Sequence, residues 1–184
     1  MTTGLTVLDD KVYTIEDYLK LDDDNQYELI EGKLLMVPKP RTGHQKIAYR
    51  FFGVLDRFLH ENKLGDVLGD VDVYLGDKVV GQDVLFVSKN RLDIITEFNV
   101  QGAPDLVIEV LSPSTAAHDK KTKSQLYCEN GVKEYWIVDP DQKLVEVLTA
   151  GEKEWRWGGV YDIEDVLTTK LLPGLEIKLQ DVFV

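Results

Sequence analysis

Cysteine is almost absent from this sequence: Cys128 is the only one in 184 residues. An intramolecular disulfide is therefore impossible, and a cysteine-rich zinc site is excluded. We expect a buried or half-buried thiol at this position. The sequence also lacks internal repeats and any linker rich in proline, glycine or serine. At this length, the chain is predicted to form one domain over residues 1–184.

Long apolar runs are missing as well. No stretch approaches the roughly 18 apolar residues of a membrane helix, and the first residues lack the basic start and apolar core of a signal peptide. Hydrophobic residues make up 43% and charged residues 29%, which is typical of a globular protein. We therefore expect a soluble, cytoplasmic protein that does not associate with membranes.

The chain has no excess of positive charge. Its net charge is -12, from 33 acidic and 21 basic residues. This charge argues against a broadly basic surface for nucleic acid. It is compatible with clustered carboxylates that hold a divalent metal ion, beside which a small basic patch can still bind a phosphate backbone.

The apolar pattern predicts a mixed α/β (α+β) fold. Two apolar runs about Gly32 indicate an N-terminal hairpin, and several strands follow a long amphipathic helix. The tail after residue 140 is predicted to be rich in strands. The predicted helices are Thr14–Leu21, His44–Asn62 and Lys120–Glu129. The two predicted buried strands are Pro104–Leu111 and the segment EYWIVDP. Together they predict a mixed sheet flanked by helices.

Glu109 is the most informative acid, because it interrupts an apolar strand that is predicted to be covered on both faces. A buried carboxylate costs several kcal/mol unless a metal ion or a lysine compensates its charge. Asp105 shares its face, but four strand residues separate the two acids by roughly 13 Å, too far to chelate one ion. Asp83, at the start of the apolar run DVLFV, can meet Glu109 if the two strands are neighbours. Two carboxylates with water ligands suit magnesium or manganese.

A helix after this strand presents a second set of polar residues. Asp119, Lys123 and Tyr127 are spaced four residues apart and therefore share one face, and Leu126 marks that face as buried. Lys123 is thus predicted to point toward the sheet. Near metal-bound carboxylates, a lysine can orient an attacking water and stabilise charge on a phosphate in the transition state.

These motifs resemble a known family. Asp83 and the segments PDLVIEVLSPST, DKKTKSQLY, VKEYWIVDP and LLPGLEI are similar to the Uma-type endonuclease family of the PD-(D/E)xK nuclease superfamily, from about Tyr13 to the C-terminus. The resemblance implies a restriction-endonuclease-like αβββαβ core, about residues 44–148. It further implies Asp83 and Glu109 as metal ligands, Lys123 as the lysine moved to the helix, and Asp105, Glu31 and His44 as accessory site residues. Gln82 stands where the motif has proline, and Leu111 stands at the usual position of the lysine.

Each accessory residue also has an ordinary structural interpretation. Asp105 follows a proline at a strand start, where an acid often binds the nearby backbone. His44 can cap or line the long helix, and Glu31 is expected to be exposed beside a turn. Tyr127, a further site candidate, can simply pack in the core with its hydroxyl bonded. The run KKTK, which contains Lys123, can be a solvated helix face.

The function predicted from the sequence is a magnesium- or manganese-dependent DNA endonuclease that uses Asp83, Glu109 and Lys123. A homodimer would supply the two sites that double-strand cleavage needs. The alternatives are an inactive nuclease-fold module that binds protein or nucleic acid, and a metal-dependent hydrolase of another phosphate ester. The displaced lysine and the net charge of -12 motivate the inactive module.

Overall fold

Two six-stranded sheets and a small two-stranded sheet form the framework of the protein. The computed structural model describes residues 5–184. The strands are β1 Thr6–Val7, β2 Gln26–Ile30, β3 Lys33–Val37, β4 Gly65–Leu68, β5 Val71–Leu75, β6 Lys78–Gln82, β7 Val84–Ser88, β8 Val100–Gln101, β9 Leu106–Val110, β10 Glu134–Asp139, β11 Leu144–Ala150, β12 Trp155–Tyr161, β13 Val166–Thr168 and β14 Glu176–Lys178.

The helices lie between groups of these strands and at the C-terminal end. They are α1 Ile15–Tyr18, α2 Thr42–Asn62, a 3-10 helix at Lys89–Ile94, α3 Ala116–His118, a wide π turn at Asp119–Lys123, α4 Ser124–Asn130 and α5 Leu179–Val182. Within residues 5–184, no helix is long and apolar enough to cross a membrane.

The predicted αβββαβ core lies in the sheet with the strand order β12-β11-β10-β9-β7-β4. Along the chain, α2, β4, β7, β9, the helical segment at residues 116–130 and β10 follow the predicted αβββαβ order. β9 pairs in parallel with β10 and antiparallel with β7, so the sheet is mixed. The predicted fold class is confirmed, including the N-terminal hairpin β2–β3 and the C-terminal strands.

The other large sheet was not anticipated from the sequence, which predicted one mixed sheet. Its strand order is β1-β3-β2-β6-β5-β8. The hairpin β5–β6 leaves the core sheet between β4 and β7 and pairs through β6 with β2 of the N-terminal hairpin. The alternation of apolar residues in β5 predicts a strand, but it carries no information about which sheet receives that strand.

Two layers of buried side chains hold the sheets in place. Phe51, Leu55 and Leu59 of α2 pack against one face of the core sheet, together with the C-terminal segments. The opposite face of that sheet, which includes Val107, packs against the second sheet and against Tyr127 of α4. The core sheet is therefore covered on both sides, which explains why β9 is apolar at nearly every position.

Several helix boundaries differ from the sequence-based prediction. The first helix is shorter than predicted, although Thr14 caps it through a reciprocal capping box with Asp17. α2 begins two residues earlier than predicted and ends, as predicted, at Asn62, after which Lys63 adopts a left-handed conformation. The helical segment predicted over Lys120–Glu129 begins at Ala116 and ends at Asn130, one residue later than predicted, before Gly131 with a φ of 87°.

Candidate active site

Glu109 lies near the end of β9 and faces the layer between the two sheets. Its exposure is only 4%. β9 and β7 pair with Ile108 opposite Val84, so the same register places Asp83 opposite Glu109. Residues directly opposite each other in an antiparallel pair project to the same side. The two acids therefore converge at this end of the sheet, and both line one cavity.

Protein donors hold one oxygen of each of these carboxylates. Oε1 of Glu109 accepts hydrogen bonds from Nζ of Lys123 at 3.0 Å and from the hydroxyl of Tyr127 at 2.8 Å. Oδ2 of Asp83 accepts from the backbone N–H of Val110 at 2.7 Å and lies 3.1 Å from Nε2 of His44. Within residues 5–184, Oε2 of Glu109 and Oδ1 of Asp83 have no hydrogen-bond partner.

Lys123 reaches the site from the helical segment, at the end of the wide π turn. Its Nζ lies 2.7 Å from the carbonyl oxygen of Gly81, 2.8 Å from Oε1 of Glu28 and 3.0 Å from Oε1 of Glu109. An ammonium group has three donors, so these contacts use all of them. The side chain is 7% exposed, and the interpretation of KKTK as a solvated helix face is wrong at this residue.

Glu28 of β2 belongs to the site although it was not predicted from the sequence. It is 2% exposed, and its Oε2 lies 2.8 Å from Nε2 of His118. A signal was present in the sequence, because Glu28 interrupts the apolar run YELI just as Glu109 interrupts LVIEV. Glu28 lies on a strand and Lys123 lies in the helical segment, 95 positions further along the chain. No local pattern in the sequence encodes a contact between residues so far apart.

Burial and neighbouring charges shift the protonation equilibria in opposite directions. Burial would raise the pKa of Glu28, but the ammonium of Lys123 and the hydrogen bond from His118 hold it below its ordinary value. Burial raises the pKa of Glu109 well above its ordinary value, and Lys123 offsets this only in part because the carboxylates of Asp83 and Asp119 are close. Glu109 is thus the acid whose charge is compensated least.

The same carboxylates keep Lys123 charged. Burial would lower the pKa of Lys123, but Glu109, Glu28 and Asp119 raise it well above its ordinary value. A lysine in this state cannot accept a proton at neutral pH. Lys123 can therefore contribute a fixed positive charge but not general-base catalysis.

Two of the accessory candidates also lie at this site. His44, in the first turn of α2, contacts Asp83; burial would lower its pKa, but the hydrogen bond and charge of Asp83 raise it. Tyr127 is fully buried, and its hydroxyl donates to Glu109. Burial raises the pKa of Tyr127 well above its ordinary value, with the nearby carboxylates adding to the rise. Tyr127 therefore acts as a hydrogen-bond donor.

The other two accessory candidates lie elsewhere. Glu31 sits exposed in the turn of the β2–β3 hairpin with a φ of 50° and does not line the cavity, because the turn carries it away from the sheet layer. Asp105 is fully buried at the start of β9, where it accepts from the backbone N–H of Ser88 at 2.8 Å. Its Oδ1 lies 2.6 Å from Nζ of Lys133 and 3.1 Å from Nη1 of Arg91. These contacts give Asp105 a structural role.

Replacing Asp105 with asparagine is expected to destabilise the fold by about 1–3 kcal/mol at pH 7, because charge-assisted hydrogen bonds at a buried site are lost. Burial would raise the pKa of Asp105, but Lys133, Ser88 and Arg91 lower it. The stability that Asp105 adds is therefore present above its unfolded pKa and is lost as the pH falls through the lower folded value. Chemical denaturation at pH 7 and at pH 3 measures the difference between the two proteins, which should shrink at pH 3. Equal stability of both proteins at pH 7 would contradict this role.

The cavity that contains the two acids has a volume of about 580 Å³. It opens between the two sheets and the start of α2. Its lining includes the acids Asp23, Asp70 and Asp72 and also the cations Lys39 and Arg41. The charged residues that could hold a ligand in this cavity are thus mainly carboxylates, with two cations just before or at the start of α2.

The donor set fits a hard divalent cation. Magnesium is commonly bound by one or two carboxylates and keeps several waters, and here Asp83 and Glu109 each offer one oxygen while the other is anchored by protein donors. Gln82, which is 4% exposed and lines the same cavity, has a buried Oε1 without a hydrogen-bond partner in residues 5–184. No cluster of three or more His, Cys, Asp or Glu residues suited to a metal occurs in that part of the chain. Water would therefore complete the coordination sphere of any ion held here.

Known proteins resemble this chain in sequence and in structure. The Uma2 family model, described as "Putative restriction endonuclease", matches residues 15–180. A protein of uncharacterised function from Synechocystis sp. is 20% identical over 164 residues, which cover 82% of this chain and 89% of the relative. The fold is similar to the crystal structure of an Anabaena variabilis protein described as "a putative nuclease belonging to DUF820". That similarity has a TM-score of 0.78 and 22% identity, and it covers 93% of this chain and 97% of the other.

Proposed function

Because the chain belongs to the Uma2 family, described as "Putative restriction endonuclease", we propose that it is a magnesium- or manganese-dependent DNA endonuclease. The proposed reaction is the hydrolysis of a phosphodiester bond by water. The metal ion would be held by Asp83 and Glu109, and Lys123 would provide the fixed positive charge of the site.

The observation that carries this proposal is the way the two carboxylates are held. Lys123 and Tyr127 both bind Oε1 of Glu109, while Val110 and His44 both contact Oδ2 of Asp83. Anchoring one oxygen fixes the orientation of a carboxylate and leaves its second oxygen for a ligand. Neighbouring acids prepared in this way favour a cation between them, which also relieves their mutual repulsion.

The residues of the chain divide the work. A bound magnesium ion would supply Lewis-acid stabilisation of phosphate charge and lower the pKa of a water molecule. Asp83 and Glu109 hold their free oxygens toward the cavity. Lys123 adds positive charge in a site that is largely shielded from solvent, where charge interacts more strongly than in water. Tyr127 and His44 keep the carboxylates in place.

The rim of the cavity supports a nucleic-acid backbone as the substrate. Lys39 and Arg41 lie beside the start of α2, and no acidic residue occurs in the first turn of that helix. Helix N-termini and basic side chains favour phosphate groups. The acids Asp23, Asp70 and Asp72, which also line the cavity, would repel a phosphate backbone unless cations screen them, so the proposed path of the backbone follows Lys39 and Arg41.

With magnesium or manganese at about millimolar concentration, purified protein is expected to convert supercoiled plasmid to the nicked form. EDTA is expected to abolish this activity. Gel electrophoresis of the plasmid over time measures the conversion. Calcium serves as a control, because it binds oxygen ligands but adopts longer, more flexible coordination.

Measuring the binding of fragments of this plasmid at increasing salt concentration separates the endonuclease function from its alternatives. A phosphate-binding enzyme should bind DNA at low salt and lose affinity steeply as salt rises. Nicking that persists in EDTA would overturn the metal-dependent mechanism. The absence of both nicking and DNA binding at low salt would favour a protein-binding module over an endonuclease.

A further inference from the structure

Glu28 shares the ammonium group of Lys123 with Glu109. Its Oε1 lies 2.8 Å from Nζ of Lys123, and the corresponding distance from Oε1 of Glu109 is 3.0 Å. The three side chains are each at most 7% exposed. They come from β2, β9 and the helical segment at residues 116–130, so Lys123 connects both sheets.

The position of Glu28 is itself fixed from the other side. Oε2 of Glu28 lies 2.8 Å from Nε2 of His118, whereas Oε1 contacts Lys123. Both oxygens are therefore held by nitrogen atoms of the helical segment. Because Glu28 has no free oxygen facing a ligand, its geometry suits the holding of Lys123 rather than direct contact with a metal ion.

The consequence of this arrangement reaches Glu109. An ammonium bound by Gly81, Glu28 and Glu109 cannot swing along the cavity, so its donor stays on Oε1 of Glu109. Without the pull of Glu28, the flexible lysine side chain would be free to contact either oxygen of Glu109 or Asp119, whose Oδ1 lies 3.8 Å away. A lysine on both oxygens of Glu109 would compete with a cation for that carboxylate.

We propose that Glu28 is a positioning residue, which holds the ammonium of Lys123 on Oε1 of Glu109 and thereby presents Oε2 of Glu109 to a divalent cation. This inference rests on the proposed function for its consequence, but the Glu28–Lys123 contact can be tested without any activity. Glu28 acts through Lys123 and touches neither substrate nor metal.

Replacing Glu28 with glutamine keeps the size of the side chain and removes its charge. E28Q is expected to weaken manganese binding by about tenfold to a hundredfold, as is common for groups that orient metal ligands. Isothermal titration calorimetry with manganese chloride measures the affinity, and circular dichroism checks the fold. Glu31→Gln is the matched control, because it makes the same change three residues along the same hairpin at an exposed position outside the cavity; its manganese affinity should equal that of the unaltered protein.

A stability cycle with Lys123→Met tests the link between the two residues. With Lys123 present, E28Q should lower the melting temperature, since Lys123 loses a partner. In the K123M background, E28Q should lower it clearly less, because Glu28 has already lost Lys123 and keeps only His118 as a partner. Such a difference between the two backgrounds requires the charge of Glu28 to act on Lys123. An E28Q substitution that lowers the melting temperature equally in both backgrounds would overturn the proposal.

An NMR measurement of the lysine ammonium groups, with nitrogen-15 labelling, separates a failure of the metal-dependent function from a failure of the positioning role. A slowly exchanging Lys123 signal is expected in the unaltered protein and in E31Q, and its loss or broadening is expected in E28Q. If the unaltered protein binds no manganese but shows this pattern, the metal-dependent function fails while Glu28 still positions Lys123. Unchanged manganese affinity and an unchanged ammonium signal in folded E28Q would refute the positioning role.

Discussion

Glu109→Gln is expected to reduce metal-dependent nicking by at least about a thousandfold, which corresponds to about 4 kcal/mol of lost transition-state stabilisation. Glutamine has nearly the same shape and can still accept from Lys123 and Tyr127, but its neutral oxygen is a poor ligand for a hard cation. The plasmid assay measures the loss, and manganese titration should show a matching loss of affinity.

The same substitution is not expected to reduce the stability of the protein. Burial raises the pKa of Glu109 in the folded protein well above its ordinary value. The folded state then holds a proton that the unfolded state releases, so this residue costs stability as the pH rises above its unfolded pKa of about 4.3. Without metal at neutral pH, E109Q should therefore melt no lower than the unaltered protein.

Thermal melts in EDTA at pH 5 and pH 8 test this expectation, with Glu31→Gln as the matched exposed control. The gap between E109Q and the unaltered protein should move in favour of E109Q at the higher pH. A folded E109Q that keeps nicking DNA would remove Glu109 from the site. A large drop in its melting temperature at pH 8 would instead identify Glu109 as a structural partner of Lys123.

Lys123→Met should reduce nicking by about a hundredfold to a thousandfold, comparable to removing one preorganised donor from a charged transition state. It should also destabilise the fold by about 3–5 kcal/mol, because Glu28 and Glu109 remain buried without their shared cation. Chemical denaturation measures the second effect. Because Lys123 keeps the pKa of Glu28 low, the stability difference should be largest at neutral pH and shrink in acid, where the carboxylates become protonated.

Loss of activity in K123M could come from unfolding alone, so Lys123→Arg provides a second variant. Arginine retains the positive charge and should recover part of the lost stability. Its planar guanidinium cannot reproduce the three short contacts of the ammonium group, so nicking should remain low. Full activity in folded K123M would show that the lysine charge is not needed for cleavage. Full activity in K123R would show that the geometry of the ammonium group is not needed.

The site could be found from the sequence where burial and charge conflict within one strand. Glu109 interrupts an apolar strand, and this alone predicted a compensated carboxylate. Lys123 was found because helical spacing places it on the face of Tyr127 and Leu126. The same rule applied to YELI would have found Glu28, but the resemblance directed attention to Glu31, three residues away in the turn.

Asp105 shows the limit of face-based reasoning. In an extended strand it shares a face with Glu109, yet its carboxylate is consumed by Ser88, Lys133 and Arg91 at the opposite end of β9. Residues distant in sequence decide whether a carboxylate pairs with a cation of the protein or stays available to a ligand. No periodicity in the strand itself distinguishes the two acids.

The sequence by itself determined the element order, the apolar character of β9, the N-terminal hairpin and the inward face of the helical segment that carries Lys123, because these depend on local spacing and on side-chain burial. Only the tertiary structure decided that β5–β6 joins the N-terminal hairpin in a second sheet, and that this sheet brings Glu28 to Lys123 beside Glu109. Pairing between strands and charge compensation between sheets depend on contacts between distant residues, and local patterns along a chain do not specify those partners.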